Sequence, residues 1–190
     1  SILSVSTDGH RLVKYTRHGL NINIDRDVII PKKFLSLISS NISQAENINL
    51  YINENQVIVE VGNDVFYSRV IDERFPDFES VIPKDNNKEL IVNRLDLLST
   101  VKRVSVLSNK TTRQIALNLT KDNIKITTED NEKSSKGFEN ISGSFTGEDL
   151  IIGYNAAYLK DILSHLTTDE IMIKLNSPIS AGLFFPKEQL

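Results

Sequence analysis

NAAYLKDILSHLTTDEIMIKL, running from Asn155 to Leu175, holds the pattern on which the fold turns. Asn155 stands where a helix begins, and its side-chain oxygen can accept from one of the backbone amides that a helix start leaves unpaired. Tyr158, Leu159, Ile162, Leu163 and Leu166 follow at spacings of three and four, an apolar stripe along one helical face. Glu170 to Leu175 is then a strand-length run, a turn holds Pro178, and Ala181 to Phe185 reads as the returning strand. Pro186 ends that strand, because proline has no amide to give to a sheet ladder. The unit is one helix followed by a strand hairpin.

The same unit occurs twice more upstream. In the middle of the chain Asn93 is an N-cap with Asp96 three residues on, and Leu97, Leu98, Val101 and Val104 form the stripe. Its hairpin runs Ile115 to Leu119, turns at Thr120-Lys121-Asp122-Asn123 and returns through Ile124 to Thr128. A further strand pair is expected over Gly137 to Phe145 and Asp149 to Gly153, divided by Gly147. Nearer the start, Pro31 suits a first helical position, and Phe34, Leu35, Leu37 and Ile38 form the stripe. Ile48 to Ile52, the turn Asn53-Glu54-Asn55-Gln56 and Val57 to Val61 form the hairpin, with a third strand from Val65 to Ile71.

Two such units packed with both helices on one sheet face make an α+β domain. Residues 84–190 hold two units and read as one complete domain. Lys84-Asp85-Asn86-Asn87-Lys88 is a polar run that reads as the linker before it. Residues 1–83 hold one unit and a leading strand pair around Asp8-Gly9, so the chain is expected to start inside a domain.

The 190 residues are 39% hydrophobic and 25% charged, as in ordinary globular proteins, and no apolar run approaches the ~20 residues of a membrane span. There is no cysteine, which excludes disulfides and thiolate metal sites and fits a reducing cytosol. The formal net charge is -3. That argues against a binder that grips nucleic acid by bulk charge. Residues 1–83 carry 8 Lys/Arg against 11 Asp/Glu, and residues 84–190 carry 14 against 14.

Two short strings go beyond fold class: Thr7-Asp8-Gly9-His10-Arg11-Leu12, and Arg74-Phe75-Pro76-Asp77-Phe78 with Val81-Ile82-Pro83 after it. On spacing alone the first is a hairpin turn in which Asp and Gly supply the backbone angles, and the second is a strand ending at a proline with its Phe residues in the core. In their order, and with three helix–hairpin units around them, they resemble the bacterial DNA polymerase III β subunit, the β sliding clamp. The resemblance covers the whole chain, as part of the middle clamp domain (1–83) and the last domain (84–190).

The resemblance implies the DNA-clamp fold and a non-catalytic, cytoplasmic processivity factor without a cofactor, which encircles double-stranded DNA without reading its sequence. The replicative polymerase, the clamp loader and repair polymerases would dock through short peptide motifs in a hydrophobic groove. Thr7, Gly9, His10, Arg11, Leu12, Pro76, Ser80, Val81, Leu183, Phe184, Phe185 and Pro186 take the groove positions. Many relatives carry a basic residue where Ser80 stands, and the tail Pro186-Lys187-Glu188-Gln189-Leu190 is one residue longer than the family's usual ending. Leu12, Val81, Leu183 and Phe185 would accept the side chains of an extended peptide while backbone hydrogen bonds set its register.

Arg11, Lys32, Lys33, Lys84, Lys102 and Arg103 would face DNA phosphates. With Arg94, Lys160 and His165, these also fit ordinary solvated helix faces. Val106 and Leu107, otherwise core, would form a head-to-tail subunit interface that closes a homodimeric ring. Lacking the first clamp domain, this chain is expected not to close that ring alone.

Enzyme chemistry finds little support. His10 lies beside Asp8 without a serine nucleophile motif, no phosphate-cradling glycine loop or paired-His metal spacing occurs, and Glu129-Asp130-Asn131-Glu132 reads as a loop without the ligand ladder of a calcium site. The rival reading is an α+β peptide-binding module unrelated to replication, and a hydrolase is a distant third.

Overall fold

The computed structural model describes residues 1–20, 26–42 and 47–187. The chain divides into two compact units, Ser1–Phe78 and Glu79–Leu190. The division falls five residues before the expected boundary at 83/84. Residues 84–88 are not a loose linker: the Asn86 amide donates to the carbonyls of Lys174 and Ala181, both at 2.9 Å, and Asp85 accepts from Asn176 at 2.7 Å. Lys88 already opens a strand.

The first unit begins with the antiparallel pair β1 (Ile2–Thr7) and β2 (Leu12–Arg17). Helix α1 (Lys32–Ser39) follows, then the three-stranded sheet β3 (Ile48–Ile52), β4 (Gln56–Val61) and β5 (Asp64–Arg69). Pro31 is the extended residue just before the helix rather than its first helical residue, with φ -60 and ψ 131. Of the expected stripe only Phe34 and Ile38 are buried, and they pack with Val57, Val59 and Val61. Leu35 and Leu37 are half exposed. The third strand stops at Arg69, and Ile71 makes an isolated bridge to Ile29. Residues 72–78 form no strand, and Phe75 and Phe78 are half-buried against each other, edge to face at 6.4 Å, outside the core.

In the second unit β6 (Lys88–Asn93) leads into α2 (Arg94–Val104), then β7 (Gln114–Thr120), β8 (Asn123–Asp130) and β9 (Ser135–Ser142). After β10 (Ser144–Thr146) the scheme repeats: β11 (Leu150–Asn155), α3 (Ala156–His165), β12 (Glu170–Leu175) and β13 (Leu183–Pro186). Both expected N-caps form, with the Asn93 side chain accepting from the Asp96 amide and Asn155 from Ala157. Glu129 and Asp130 end β8 instead of lying in a loop. Asp130 is buried and accepts from the Glu132 amide and the Asn109 side chain.

The strands form two four-stranded sheets, β10-β6-β12-β13 and β11-β7-β8-β9, rather than one. Each leading strand crosses to the other half of the domain, β6 pairing with β12 and β11 with β7. The strands expected to pair over 137–145 and 149–153 do not: β9 and β11 lie on opposite edges of one sheet, and residues 144–146 join the other. Helices α2 and α3 pack together, and α2 touches strands of both sheets. One continuous core results, with Leu97, Val101, Leu159, Leu163, Ile115, Ile124, Ile171 and Leu175 each almost wholly buried. No helix among the described residues is long and apolar enough to cross a membrane.

Candidate groove and charged helix faces

The Asp8–Arg11 connection is held by its own side chains. Thr7 and Leu12 are the last paired positions, so four residues make the turn. Gly9 has φ +84, a left-handed backbone that costs glycine little. Asp8 supplies hydrogen bonds rather than an unusual backbone angle: its carboxylate accepts the amides of His10 (3.0 Å) and Arg11 (3.1 Å) and the Arg11 Nε (3.1 Å). Those bonds, the His10 amide foremost, hold its pKa below the usual carboxylate range. The Thr7 hydroxyl donates to the Arg11 carbonyl and accepts the Gly9 amide. The motif thus spends its polar atoms on a rigid turn, and Arg11 is engaged by Asp8.

Beyond the turn Leu12 is half-buried, and the Lys14 ammonium sits 5.4 Å over the Phe78 ring. Pro76 is exposed in the same unit. Ser80 and Val81 lie in a short 3₁₀ turn, Glu79–Val81, at the start of the second unit, and Val81 is 65% exposed.

The last strand, β13, is an edge strand, so its outer backbone groups face no neighbouring strand in the sheet. Phe184 packs on the core and meets Tyr154 edge to face at 5.9 Å, while Phe185 is exposed. The alternation of a strand therefore gives Leu183 and Phe185 to one face and Phe184 to the other. Pairing continues past Pro186: the Lys187 amide donates to the Glu170 carbonyl, and its ammonium meets the Glu170 carboxylate at 2.9 Å. Glu188, Gln189 and Leu190 lie outside the described residues.

Beside this strand is a feature that the sequence reading missed. Thr112, Gln114, Gly153, Tyr154, Asn155 and Pro178 line a concavity of about 440 Å³. The Tyr154 hydroxyl is buried with no hydrogen-bond partner among the described residues, and burial raises its pKa. Gly182 makes room for it, because a Cβ there would lie 2.3 Å from the hydroxyl oxygen. Ile179, at the tip of the neighbouring turn, is 96% exposed.

Among the described residues the basic side chains separate into exposed and engaged. Lys32, Lys33, Lys84 and Lys102 are exposed. Arg103 is clasped by Glu139, with contacts of 2.9, 3.2 and 2.7 Å, and also donates to Thr100. Arg94 ties the two helices together by donating to the carbonyls of Thr168 (2.8 Å) and Leu163 (3.1 Å), a C-terminal capping role for α3. His165 pairs with Asp161 on its own helix. Val106 is 80% exposed and so is not core, whereas Leu107 lies over Gly137, where a Cβ would come within 2.6 Å of its Cδ1. Among the described residues no cluster of three or more His, Cys, Asp or Glu could hold a metal.

Comparison with known proteins decides the family. The model of the DNA polymerase III beta subunit central domain matches residues 1–77, and that of the C-terminal domain matches residues 79–189. The chain belongs to the DNA polymerase III beta subunit family. Both matches meet at the division between the two compact units. The beta sliding clamp of Pseudomonas putida is 31% identical over 185 residues, covering 96% of this chain and 50% of its own length. That of Haemophilus influenzae is 33% identical over 181 residues, covering 95% and 49%. The solved Pseudomonas aeruginosa beta subunit superposes with a TM-score of 0.93 at 28% identity, over 98% of this chain and 52% of its own. A Bartonella birtlesii sliding clamp bound to griselimycin gives 0.88 at 31% identity, over 98% and 50%. The chain spans about half the length of the curated relatives it matches, and the α+β clamp fold is shared.

Proposed function

We propose that this chain serves as part of a DNA sliding clamp, a non-catalytic processivity factor that encircles duplex DNA and tethers the replicative polymerase and other replication and repair proteins. The observation that carries this is the match of two consecutive clamp domain models, in order, over almost the whole chain. Tethering raises the local concentration of polymerase at the primer end without tight chemical binding.

The partner groove is proposed at the Thr7–Leu12 turn, Pro76, Ser80, Val81 and the Leu183–Pro186 strand. Exposed Val81 and Phe185 offer apolar contacts, and the free edge of β13 offers backbone groups to an extended peptide. Lys32, Lys33, Lys84 and Lys102 are the proposed DNA-facing residues. Contacts there would be to phosphates and so independent of sequence. Arg11 and Arg103 are weaker candidates, because each is already paired with a carboxylate of its own chain. Val106 and Leu107 are proposed to meet a neighbouring copy when the ring closes. The Asp8 carboxylate is engaged by the turn's own amides and by Arg11, which favours this reading over hydrolysis.

The test is fluorescence anisotropy of a labelled peptide carrying the replicative polymerase's clamp-binding motif, with griselimycin as competitor. Saturable binding that is displaced by griselimycin and weakened in a Pro76→Ala, Leu183→Ala variant is the expected result. A folded chain that ignores the peptide at millimolar concentration would sink the groove.

A further inference from the structure

A second concavity, of about 260 Å³, lies apart from the residues assigned to the groove. Lys110, Arg113 and Lys160 line it, together with the hydroxyl-bearing Ser105 and Ser108 and the flank of Val106, a residue also proposed to meet a neighbouring copy, so the site is tested on the unpaired chain. Among the described residues its lining contains three cationic side chains and no carboxylate. Among the described residues neither Lys110 nor Arg113 takes part in an ion pair, and Lys160 makes only a long contact, 3.4 Å, to the Ser105 hydroxyl. The contrast with Arg103, Arg94 and Lys187, each with a partner of its own, is direct.

The three residues come from separate places, a loop after α2 and the second turn of α3. The loop is fixed: the Asn109 side chain accepts the amides of Thr111 and Thr112, the Arg113 amide donates to the Asn109 carbonyl, and the Arg113 carbonyl accepts the Ala156 amide. Like charges brought together on a rigid frame repel, and a bound anion relieves that repulsion. The start of α3 adds only its field, since the amides of Ala156 and Ala157 are already taken by Arg113 and Asn155. At about 30 Å³ of liquid volume per water, the space accommodates a tetrahedral oxyanion with part of its hydration.

We propose that Lys110, Arg113 and Lys160 form a phosphoryl-binding site on the second unit. Arg113 offers a planar fork and the two lysines offer point charges, the combination that suits phosphate oxygens. The ligand group is the same whether it belongs to a DNA backbone or to a free phosphorylated molecule. The site rests on this chain's own side chains and stands even if the peptide groove fails its test.

The experiment is ¹⁵N–¹H NMR of the chain titrated in parallel with inorganic phosphate and with a short DNA duplex, each at ionic strength held constant with sodium chloride. Saturable amide shifts confined to residues 108–113 and 156–160 are expected with at least one of them. Lys110→Gln and Arg113→Gln should each weaken binding about three- to tenfold, in line with one lost charge-assisted hydrogen bond. Lys110→Arg should retain it. Shifts with both titrants identify a general phosphoryl site, and shifts with the duplex alone identify DNA as its source. Absence of saturable shifts with either, reproduction of the shifts by chloride, or undiminished binding in both Gln variants overturns the proposal.

Discussion

Helices α1 and α2 occupy equivalent places in two copies of the same helix–hairpin unit, yet they end in different surroundings. Helix α2 buries Leu97, Leu98, Thr100, Val101 and Val104, because α3 lies against it and two sheets lie beneath. Helix α1 buries Phe34 and Ile38 and leaves Leu35 and Leu37 about half exposed. In the first unit Ile48, Leu50, Tyr51, Val65 and Tyr67 are exposed too. The difference lies less in the helices' own sequences than in the number of units available to close a core. One amphipathic unit cannot cover its own apolar face. Two units, exchanging their leading strands, can.

The largest effect that tests this contrast is in the second core. Leu163→Ala removes a fully buried side chain and should lower the unfolding free energy by about 2–5 kcal/mol in urea titration. Val59→Ala in the first unit should cost less, since its cluster is small. Hydrogen exchange should show the β6, β7 and β12 amides protected well beyond those of β3 and β5. Equal protection in the two units would break the comparison.

A smaller effect is expected around Tyr154. Gly182→Ala forces a Cβ against the hydroxyl and should destabilise the second unit by about 1–3 kcal/mol, the range of overpacking changes. Tyr154→Phe should be close to neutral, because the buried hydroxyl has no partner to lose. The pH dependence carries a sign. Burial raises the folded pKa above the unfolded value of 10.0, so below 10 both states are protonated and stability is at its full level. As pH rises past 10 the unfolded state ionises while the folded state resists, and stability falls. Comparing thermal midpoints of the wild type and Tyr154→Phe between neutral and alkaline pH checks this; parallel profiles would contradict it.

The smallest effect belongs to the Arg103–Glu139 pair. Its hydrogen bonds with Arg103 lower the Glu139 pKa, so any stabilisation is present above the ordinary carboxylate range and disappears as pH falls through the depressed value. The pair is solvent-exposed and screened, and Glu139→Gln should scarcely move the thermal midpoint at neutral pH. If Arg103 serves DNA once Glu139 is gone, the same variant should strengthen duplex binding at low salt, which electrophoretic mobility would reveal.

Local chemistry was legible in the sequence alone. Asn93 and Asn155 cap their helices as their position requires, the Leu97/Val101/Val104 and Leu159/Leu163 spacings name the buried faces, and the Gly9 turn closes where its residues say. These features depend on neighbours within a few positions of the chain, so periodicity and side-chain chemistry suffice. The two strings around Thr7–Leu12 and Arg74–Phe78 also carried the family, because motif identity needs no geometry.

The partnering was settled only in three dimensions. A strand alternating apolar and polar residues can join any edge of matching period, so nothing local tells β6 to pair with β12, or residues 144–146 to leave their hairpin for the other sheet. The fate of charges was hidden for the same reason. Arg94, Arg103 and Lys102 look alike along the helix, yet one caps a distant helix, one meets Glu139 across 36 residues, and one remains exposed. Sequence determined which faces must be covered and which charges existed. Tertiary packing decided what covers and what neutralises them, because long-range contacts are chosen by the burial of the whole domain and not by any single segment.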